Sequence, residues 1–257
     1  MQPQIGKELA GAIEASQRAA EVVMSYYKQN LVVEQKVDAS PVTVADREAE
    51  RVIRSILQEQ FPTYGFIGEE FGTSSAAASA QWVIDPIDGT KNFIKGIPFF
   101  GILIGLVRSG EFELGVSNVP GMQELLYAQR GLGAFLNHEA VRVSSETELS
   151  ESMVSVGGMK HFVTSGMEAG LARVIEKVSR SRAFGDAYAY HLVASGRFEA
   201  VIEAKVDIWD IAAPVAIIEA AGGMCTDING NPITDQTHTI IASNGKVHEE
   251  IVRLFKS

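Results

Sequence analysis

The opening of the chain has the hydrophobic pattern of two helices. In residues 6–27, apolar side chains recur every three or four positions, which is the spacing of one helical face. These positions are Leu9, Ile13, Ala20, Val23 and Tyr27. A second helix is expected to begin beside Thr43, because Asp46 completes the pattern of a capping box, and to end at Phe61-Pro62.

Short apolar runs separated by turn residues predict an antiparallel meander in the middle of the chain. Turns are expected at Ser109-Gly110, Pro120-Gly121 and 131–133, since glycine and proline adopt the backbone angles that tight turns need. The strands are predicted at 99–107, 111–118, 124–128 and 134–143. A further strand is expected at 65–68, and the small polar residues of 73–80 predict a loop.

Beyond the polar stretch 144–152, strand and helix patterns alternate. Helices are predicted at 166–178, 187–194, 211–221 and 247–255. Strands are predicted at 153–156, 200–202, 225–227 and 239–242. Such alternation is typical of an α/β layer. We therefore expect an N-terminal α+β domain with the antiparallel sheet at 1–147 and a C-terminal α/β domain at 148–257.

Composition favours a globular cytoplasmic protein. The 257 residues are 46% hydrophobic, but the longest apolar run, 97–107, is shorter than the roughly 18 residues of a membrane span. A net charge of −10 argues against a nucleic-acid or anionic-membrane surface, because clustered Lys and Arg bind phosphate groups. The single cysteine, Cys225, excludes an internal disulfide and is expected to be buried. Residues 1–4 lack a signal-peptide pattern.

Candidate chemistry centres on the stretch 82–92, where an apolar strand is predicted to deliver two carboxylates into a short turn. Asp85 and Asp88 are three positions apart, and Pro86 restricts the backbone between them. The two carboxylates and the carbonyl of Ile87 are hard oxygen ligands, which suit Mg²⁺, Mn²⁺ or Ca²⁺. The sequence therefore predicts a metal site at this turn.

Gly89 and Thr90 follow the two carboxylates. Glycine lets the backbone approach an anion closely, and the amides of both residues at the start of a short helix are expected to attract phosphate. A bound cation would allow an acidic protein to hold an anionic substrate here. The alternative is an ordinary surface turn, since Asp-Gly is a common turn pair.

Other polar residues have plain structural explanations when each is taken alone. Glu69 fits a solvated loop. Asp46 fits a helix-start charge, and Asp210 fits a helix N-cap. His161 and His191 are isolated in sequence, which favours hydrogen-bonded or solvated side chains over catalytic ones. The sequence contains no Walker loop, nucleophile elbow, zinc-protease motif or complete dinucleotide-binding motif.

Three motifs together closely resemble the inositol monophosphatase family. They are Gly68-Glu69-Glu70, the stretch 82–92 with its Asp-Pro-Ile-Asp-Gly-Thr core, and Trp209-Asp210 followed by Glu219-Ala220-Ala221-Gly222-Gly223. The resemblance spans about residues 5–255. It implies a layered α-β-α-β-α sandwich of the inositol monophosphatase and fructose-1,6-bisphosphatase type. It also implies a Mg²⁺-dependent, lithium-sensitive phosphatase with two or three Mg²⁺ ions per active site, commonly a homodimer.

By that resemblance, the acids of the three motifs are metal ligands. Glu69, Asp85 and the carbonyl of Ile87 would hold the first ion. Asp85, Asp88 and Asp210 would hold the second, and Asp88 and Asp210 would also contact the substrate. A divalent ion lowers the pKa of bound water, and a second ion stabilises the leaving alkoxide.

The resemblance also assigns the attacking water. Thr90, positioned by Asp46, would orient this water with help from Glu69. The phosphate would rest on the amides of Gly89 and Thr90.

The triplet Gly185-Asp186-Ala187, together with residues 188–190 and 192–197, resembles the histidinol-phosphate phosphatase branch of the family. Inositol phosphatases usually carry a small uncharged residue at its middle position, and Lys91 also agrees with the histidinol branch. Asp186 and Glu203 would form an acidic collar for an amine and an imidazole, because carboxylates pair well with cations. The alternative is that Asp186 caps the following helix.

The expected partner is a small phosphorylated metabolite, with no nucleic acid and no membrane. L-histidinol phosphate is favoured over inositol 1-phosphate. Bisphosphates and nucleotides fit less well, because the sequence shows no second basic pocket. A non-catalytic interaction module on the same fold is a further alternative, and the intact acidic ligands count against it.

Overall fold

The computed structural model describes residues 5–29, 32–35, 41–75 and 77–256. Residues 1–4, where no signal peptide is expected, and residue 76 of the predicted loop lie outside this part. The helices are α1 (Lys7–Tyr26), α2 (Val44–Gln60), α3 (Thr90–Ile94), α4 (Met159–Thr164), α5 (Glu168–Lys177), α6 (Asp186–Ala194), α7 (Ile208–Ala220) and α8 (His248–Lys256). The strands are β1 (Glu34–Gln35), β2 (Pro41–Val42), β3 (Gly65–Gly68), β4 (Gly72–Ser74), β5 (Ala80–Asp88), β6 (Gly101–Arg108), β7 (Glu111–Val119), β8 (Glu124–Gln129), β9 (Gly133–Leu136), β10 (Glu139–Val141), β11 (Met153–Val156), β12 (Arg180–Arg182), β13 (Ala200–Ala204), β14 (Met224–Thr226) and β15 (Thr239–Ser243).

Helices α1 and α2 form the first layer, as the sequence predicts. Helix α1 buries an alanine-rich face, with the predicted Ile13 and Ala20 half-buried at its edge. Helix α2 begins with the predicted capping box. The amide of Thr43 donates to the carboxylate of Asp46 (2.8 Å), and the hydroxyl of Thr43 accepts from the amide of Ala45 (3.2 Å). These bonds satisfy groups that a helix start leaves unpaired.

An eight-stranded sheet forms the second layer, in the order β10-β9-β8-β7-β6-β5-β3-β4. The predicted antiparallel meander is confirmed, and β3 pairs parallel to β5. The single strand predicted at 134–143 is wrong. It is the hairpin of β9 and β10, because Asn137 (φ 47°) and His138 (φ 72°) adopt left-handed angles that reverse the chain. The predicted loop at 73–80 begins inside β4 and ends inside β5.

A five-stranded mixed sheet forms the fourth layer, in the order β12-β11-β13-β15-β14. Strand β11 is parallel to β12 and β13, whereas β15 is antiparallel to β13 and β14. The predicted strands of this region are confirmed. The sequence analysis missed β12, whose residues Arg-Ser-Arg have no apolar pattern, and the short helix α4. Helices α4, α5 and α8 pack on the outer face of this sheet.

Helices α6 and α7 form the central layer between the two sheets. Helix α7 packs on β5 to β8 of the first sheet and on β14 and β15 of the second. Gly105 and Gly115 permit this close approach. A Cβ at Gly115 would overlap the backbone carbonyl of Ala213, and a Cβ at Gly105 would lie 3.0 Å from the Cβ of Ala212. Two missing side chains therefore set the distance between α7 and the sheet.

The layers stack in the order α-β-α-β-α, which confirms the fold class expected from the sequence. The division into domains at 1–147 and 148–257 stays a prediction. Helices α6 and α7 pack against strands that precede the proposed boundary and against strands that follow it. Among the residues that the structure describes, no helix combines the length and apolar character needed to cross a membrane.

We expect Gly115→Ala to destabilise the fold by about 1–3 kcal/mol, because the new methyl group must displace α7 and overpacked cores usually lose that much. Gly105→Ala should have a smaller effect, since its methyl group would touch its neighbours at 3.0 Å without overlapping them. Urea unfolding of both variants and the unchanged protein measures the free energy of unfolding. Equal values for all three proteins would contradict the close packing of α7.

Candidate metal centre and active site

A β-bulge near the end of β5 places Asp85 and Asp88 on the same face of the sheet. Asp85 pairs with Leu103 and Asp88 with Gly101, so β5 has two residues where β6 has one. Residues three apart in a regular strand face opposite sides. The bulge restores a common face, and Pro86 suits it because the proline nitrogen has no hydrogen to donate. The predicted turn between the two acids is therefore wrong, since strand pairing continues to Asp88.

Glu69 reaches Asp85 because β3 runs parallel to β5. Gly68 pairs with Ile84, and the amide of Glu69 donates a hydrogen bond to the carbonyl of Ile84 (3.2 Å). The side chains of Glu69 and Asp85 share a hydrogen bond that contributes to the raised pKa of Asp85. Parallel strands end at the same edge of a sheet. The fold thus makes neighbours of two acids that β4 and its loop separate in sequence.

Asp210 enters the same pocket from the first turn of α7. The helix begins at Ile208, earlier than predicted, and its N-cap is Asp207, so the interpretation of Asp210 as the N-cap is wrong. A carboxylate oxygen of Asp210 accepts a hydrogen bond from the amide of Asp207 (2.7 Å). Oxygens of Asp85, Asp88 and Asp210 lie within 4.8 Å of one another. Because a carboxylate has two oxygens, stabilising a helix start and lining the site are compatible.

Asp46 makes a similar double contact at the start of α2. Its Oδ2 accepts hydrogen bonds from the amide (2.8 Å) and the hydroxyl (2.6 Å) of Thr43, and its Oδ1 lies 3.4 Å from the hydroxyl of Thr90. The Thr90 hydroxyl also lies 3.0 Å from the carbonyl of Ile87. Both neighbours are acceptors, so the single hydroxyl proton is donated to one of them. The lone pairs of Thr90 Oγ1 are left to accept a hydrogen bond from a ligand.

The concentration of carboxylates raises their pKa values. Burial raises the pKa of Asp85 well above its usual range, and the charges of Glu69, Asp88 and Asp210 add to the effect. Burial and the charge of Asp186 raise the pKa of Asp88 in the same way. Like charges buried together are unfavourable without a counter-ion. A hard divalent cation with oxygen ligands meets that requirement, so the donor set fits Mg²⁺ or a similar ion.

Gly89 lies where the acidic pocket meets Asp186. Its φ of 85° is left-handed, and a Cβ here would lie 3.0 Å from the carbonyl of Phe99 and 3.1 Å from the carboxylate of Asp186. Both the angle and the space favour glycine. Gly89 and Thr90 are partly exposed, so a ligand can approach their backbone.

A hydrogen-bond network holds Asp186 at the wall of the pocket. The amide of Asp186 donates to Oε1 of Glu203 (3.0 Å), and the side-chain amide of Asn92 donates to Oδ2 of Asp186 (2.9 Å). The hydroxyl of Tyr190 donates to the other Glu203 oxygen (2.6 Å). Burial and the charge of Glu203 raise the pKa of Asp186 to about 7, whereas Lys91 lowers it. Asp186 is partly exposed, while Glu203 is only 7% exposed.

The turn before α6 brings Gly185-Asp186-Ala187 to the site. The amide of Ala187 donates a hydrogen bond to the carboxylate of Asp88, which joins this turn to β5. The alternative that Asp186 caps α6 is wrong, because the N-cap is Gly185, which has no side chain. Asp186 itself has a left-handed φ of 51°. Backbone angles of this kind cluster at functional sites when they occur outside glycine.

Sequence analysis missed three residues that orient the site. Asn92 lies inside the central motif, and its place there was a usable signal. Tyr190 lies within the resemblance to the histidinol-phosphate phosphatase branch, but its contact with Glu203 was not predicted. Glu50 carries no sequence signal, because the turn that it contacts is distant in the chain.

The two histidines and the cysteine have the structural character expected from the sequence. His191 is buried, with its ring nitrogens 2.8 Å from the hydroxyl of Ser117 and 3.0 Å from the carboxylate of Glu124. His161 is partly exposed in α4, and Cys225 is buried.

Comparisons with known proteins agree with this geometry. Residues 6–257 match the sequence profile of the inositol monophosphatase family. The chain is 35% identical over 246 residues to a histidinol-phosphatase of Chlorobaculum parvum, covering 95% of each chain. It is 39% identical over 224 residues to an inositol-1-monophosphatase of Rhizobium meliloti, covering 84% of this chain and 83% of the relative. The crystal structure of the extragenic suppressor protein suhB from Bartonella henselae matches with a TM-score of 0.91 at 34% identity, covering 96% of this chain and 98% of that chain.

The family match covers the acidic pocket and all five layers of the fold. Members of this family are metal-dependent phosphatases that act on small phosphorylated substrates. The acidic pocket supplies the oxygen ligands that such chemistry needs. The chain therefore belongs to the inositol monophosphatase family and is a phosphatase.

Proposed function

We propose that this phosphatase uses Mg²⁺ to hydrolyse L-histidinol phosphate to L-histidinol and phosphate. The observation that carries the substrate assignment is the Asp186 carboxylate, which Asn92 holds at the pocket wall beside Gly89. A carboxylate at this place would pair with the protonated amine of the substrate. The similarity to a histidinol-phosphatase over 95% of the chain supports the same substrate.

The acidic pocket would hold two Mg²⁺ ions, or three. Glu69, Asp85 and the carbonyl of Ile87 would bind one ion, and Asp85, Asp88 and Asp210 a second. The grouping of the three aspartates within 4.8 Å supports this assignment. When bound, the ions would offset the buried negative charge, activate a water molecule and stabilise the leaving oxygen.

The chain's own part in the reaction is to orient the water and the phosphate. Thr90 would accept a hydrogen bond from the attacking water, because its single proton is donated to Asp46 or to the carbonyl of Ile87. Glu69 would help to hold the same water. The amides of Gly89 and Thr90 would donate hydrogen bonds to the phosphate oxygens, where negative charge increases in the transition state.

The turn Gly185-Asp186-Ala187 would contact the part of the substrate that lies beyond the phosphate group. Asp186 would contact the amine. Glu203 would support Asp186 through the hydrogen bond that its carboxylate accepts from the backbone amide of Asp186. Asp88 and Asp210 would contact the bound substrate at the floor of the pocket. The hydrogen bond from the amide of Ala187 to Asp88 would fix the position of Asp186 relative to the metal ligands Asp88 and Asp210.

Inositol 1-phosphate is the second candidate substrate. Both oxygens of Glu203 accept hydrogen bonds from the chain, so the acidic collar depends mainly on Asp186. A collar with one carboxylate discriminates less against a neutral polyol. The 39% identity to an inositol-1-monophosphatase supports this candidate.

We further propose a homodimer in the cytoplasm that acts on this small metabolite and has no nucleic-acid or membrane partner. The family resemblance supports the dimer, and the net charge of −10 disfavours a polyanionic partner. Analytical ultracentrifugation would test the dimer directly.

Asp88→Asn should remove most Mg²⁺-dependent turnover and leave the fold nearly intact, because it deletes one charged ligand from a pocket at the sheet edge. Phosphate release at graded Mg²⁺ concentrations measures turnover, and circular dichroism checks the fold. Asp235→Asn removes the same charge at an exposed turn and should match the unchanged protein. An unchanged kcat in Asp88→Asn at millimolar Mg²⁺ would contradict the metal assignment.

Thr90→Ala should lower kcat by about a hundredfold or more with little change in KM, the pattern for a group that acts on proton transfer in the transition state. Steady-state kinetics at saturating Mg²⁺ measure both constants. Thr90→Ser retains the hydroxyl and should recover most of kcat. If Thr90→Ala lowers only the melting temperature, the hydroxyl serves structure alone.

Asp186→Asn should lower kcat/KM for L-histidinol phosphate by about 1.5–3 kcal/mol, or roughly ten- to a hundredfold, which is typical of a charge-assisted hydrogen bond. The same variant should change kcat/KM for inositol 1-phosphate little, because that substrate carries no amine. Parallel kinetics with both substrates provide the test. Equal losses would mean that Asp186 supports the turn, and inositol 1-phosphate would become the preferred substrate.

A further inference from the structure

The turn between β3 and β4 carries Glu69, and two side chains of helix α2 form hydrogen bonds with this turn. The amide of Glu70 donates a hydrogen bond to Oε2 of Glu50 (2.8 Å). Two residues later, the carbonyl of Gly72 accepts a hydrogen bond from Nη2 of Arg54 (2.6 Å). One donor and one acceptor of the turn are therefore both bound by side chains of α2.

Glu50 and Arg54 also bind each other. Nε of Arg54 lies 2.7 Å from Oε1 of Glu50, one helical turn apart on α2. Glu50 is completely buried, and the side chain of Arg54 is 18% exposed. Each partner thus uses one end for the pair and the other for the turn. A buried carboxylate needs such complete pairing, since an unpaired buried charge is strongly unfavourable.

The packing leaves the turn little freedom around this pair. A Cβ at Gly68 would overlap the carboxylate of Glu50, so the strand end and the acid are in direct contact. The guanidinium of Arg54 lies over the rings of Phe66 (5.2 Å) and Phe71 (5.9 Å). Phe66 precedes Glu69 in the chain and Phe71 follows it, so Arg54 contacts both sides of the turn.

Asp46 and Glu50 occupy the same face of α2, four residues apart. Both are buried. Asp46 contacts Thr90, while Glu50 contacts the Glu69 turn. One rigid helix therefore fixes the distance between two parts of the active site that come from different strands.

We propose that Glu50 and Arg54 are positioning residues that fix the Glu69 carboxylate against Asp85 and so set the affinity of the site for Mg²⁺. The inference rests on the proposed function in one respect, that Glu69 is a metal ligand. Residues behind a ligand commonly act in this way, because they orient it before the ion binds.

Calorimetric titration of Mg²⁺ into the EDTA-treated protein tests the proposal without any substrate. Glu50→Gln removes the ion pair but keeps the shape, and Arg54→Lys keeps the charge but cannot reach both Glu50 and the carbonyl of Gly72. Each change should weaken Mg²⁺ binding roughly ten- to a hundredfold, as loss of a supporting residue typically does. At saturating Mg²⁺, kcat should largely recover, with KM for the phosphate ester unchanged.

Glu113→Gln is the matched control. It removes a glutamate–arginine pair with Arg108 (2.9 Å) on β6 and β7, which does not touch the Glu69 turn. It should leave Mg²⁺ binding unchanged even if it lowers the melting temperature. Glu50→Gln added to Glu69→Gln should cause no further loss of Mg²⁺ affinity, since the two residues act through one carboxylate.

The outcomes separate this proposal from the proposed function. If the unchanged protein does not bind Mg²⁺, the Mg²⁺ assignment fails. If it binds Mg²⁺ and the folded variants bind equally well, only the positioning proposal fails. Should Glu50→Gln not fold, Arg54→Lys alone decides between these results, because it retains the buried carboxylate and a cation beside it.

Discussion

Buried negative charge is the constraint on which this structure depends. Asp85, Asp88 and Asp210 are held within 4.8 Å of one another in a pocket whose burial disfavours ionised carboxylates. Repulsion between them would separate flexible side chains, so the backbone must hold them in place. A β-bulge holds the first two, and the close packing of α7 against glycines of the sheet brings in the third. The site is thus a consequence of backbone geometry.

Two of the acids also stabilise the helices that deliver them. Asp46 and Asp210 each accept a hydrogen bond from the amide three residues earlier, at the first turn of α2 and α7. The positive end of the helix dipole favours a carboxylate there. Sequence analysis treated a helix-start role and a functional role as alternatives for both residues, positioning Thr90 in the case of Asp46 and binding metal in the case of Asp210. The structure makes the two explanations compatible, since each carboxylate has a second oxygen.

Periodicity predicted the meander, the long helices and the alternating C-terminal half, because each depends on local patterns. It failed where two residues change the direction of the chain, as at Asn137 and His138, and at the bulge between Asp85 and Asp88. Spacing alone could not join Glu69 to Asp85, since their contact depends on the parallel pairing of β3 with β5. Only the resemblance to a known family placed Glu69 and Asp85 at one metal ion in advance.

The balance of charges around Asp186, at the wall of the pocket, differs from that around the three aspartates at its floor. Cations bound at the floor would neutralise the three aspartates there, whereas at Asp186 burial and the charge of Glu203 disfavour the ionised form and the charge of Lys91 favours it. Lys91 is exposed, so water and salt weaken its effect. A neutral polyol would further desolvate the Asp186 carboxylate without supplying a charge, which is unfavourable in a partly buried site. A protonated amine would supply that charge at the moment of desolvation. Under the proposed function, electrostatics at this one carboxylate would therefore favour an amine-bearing phosphate ester over inositol phosphate.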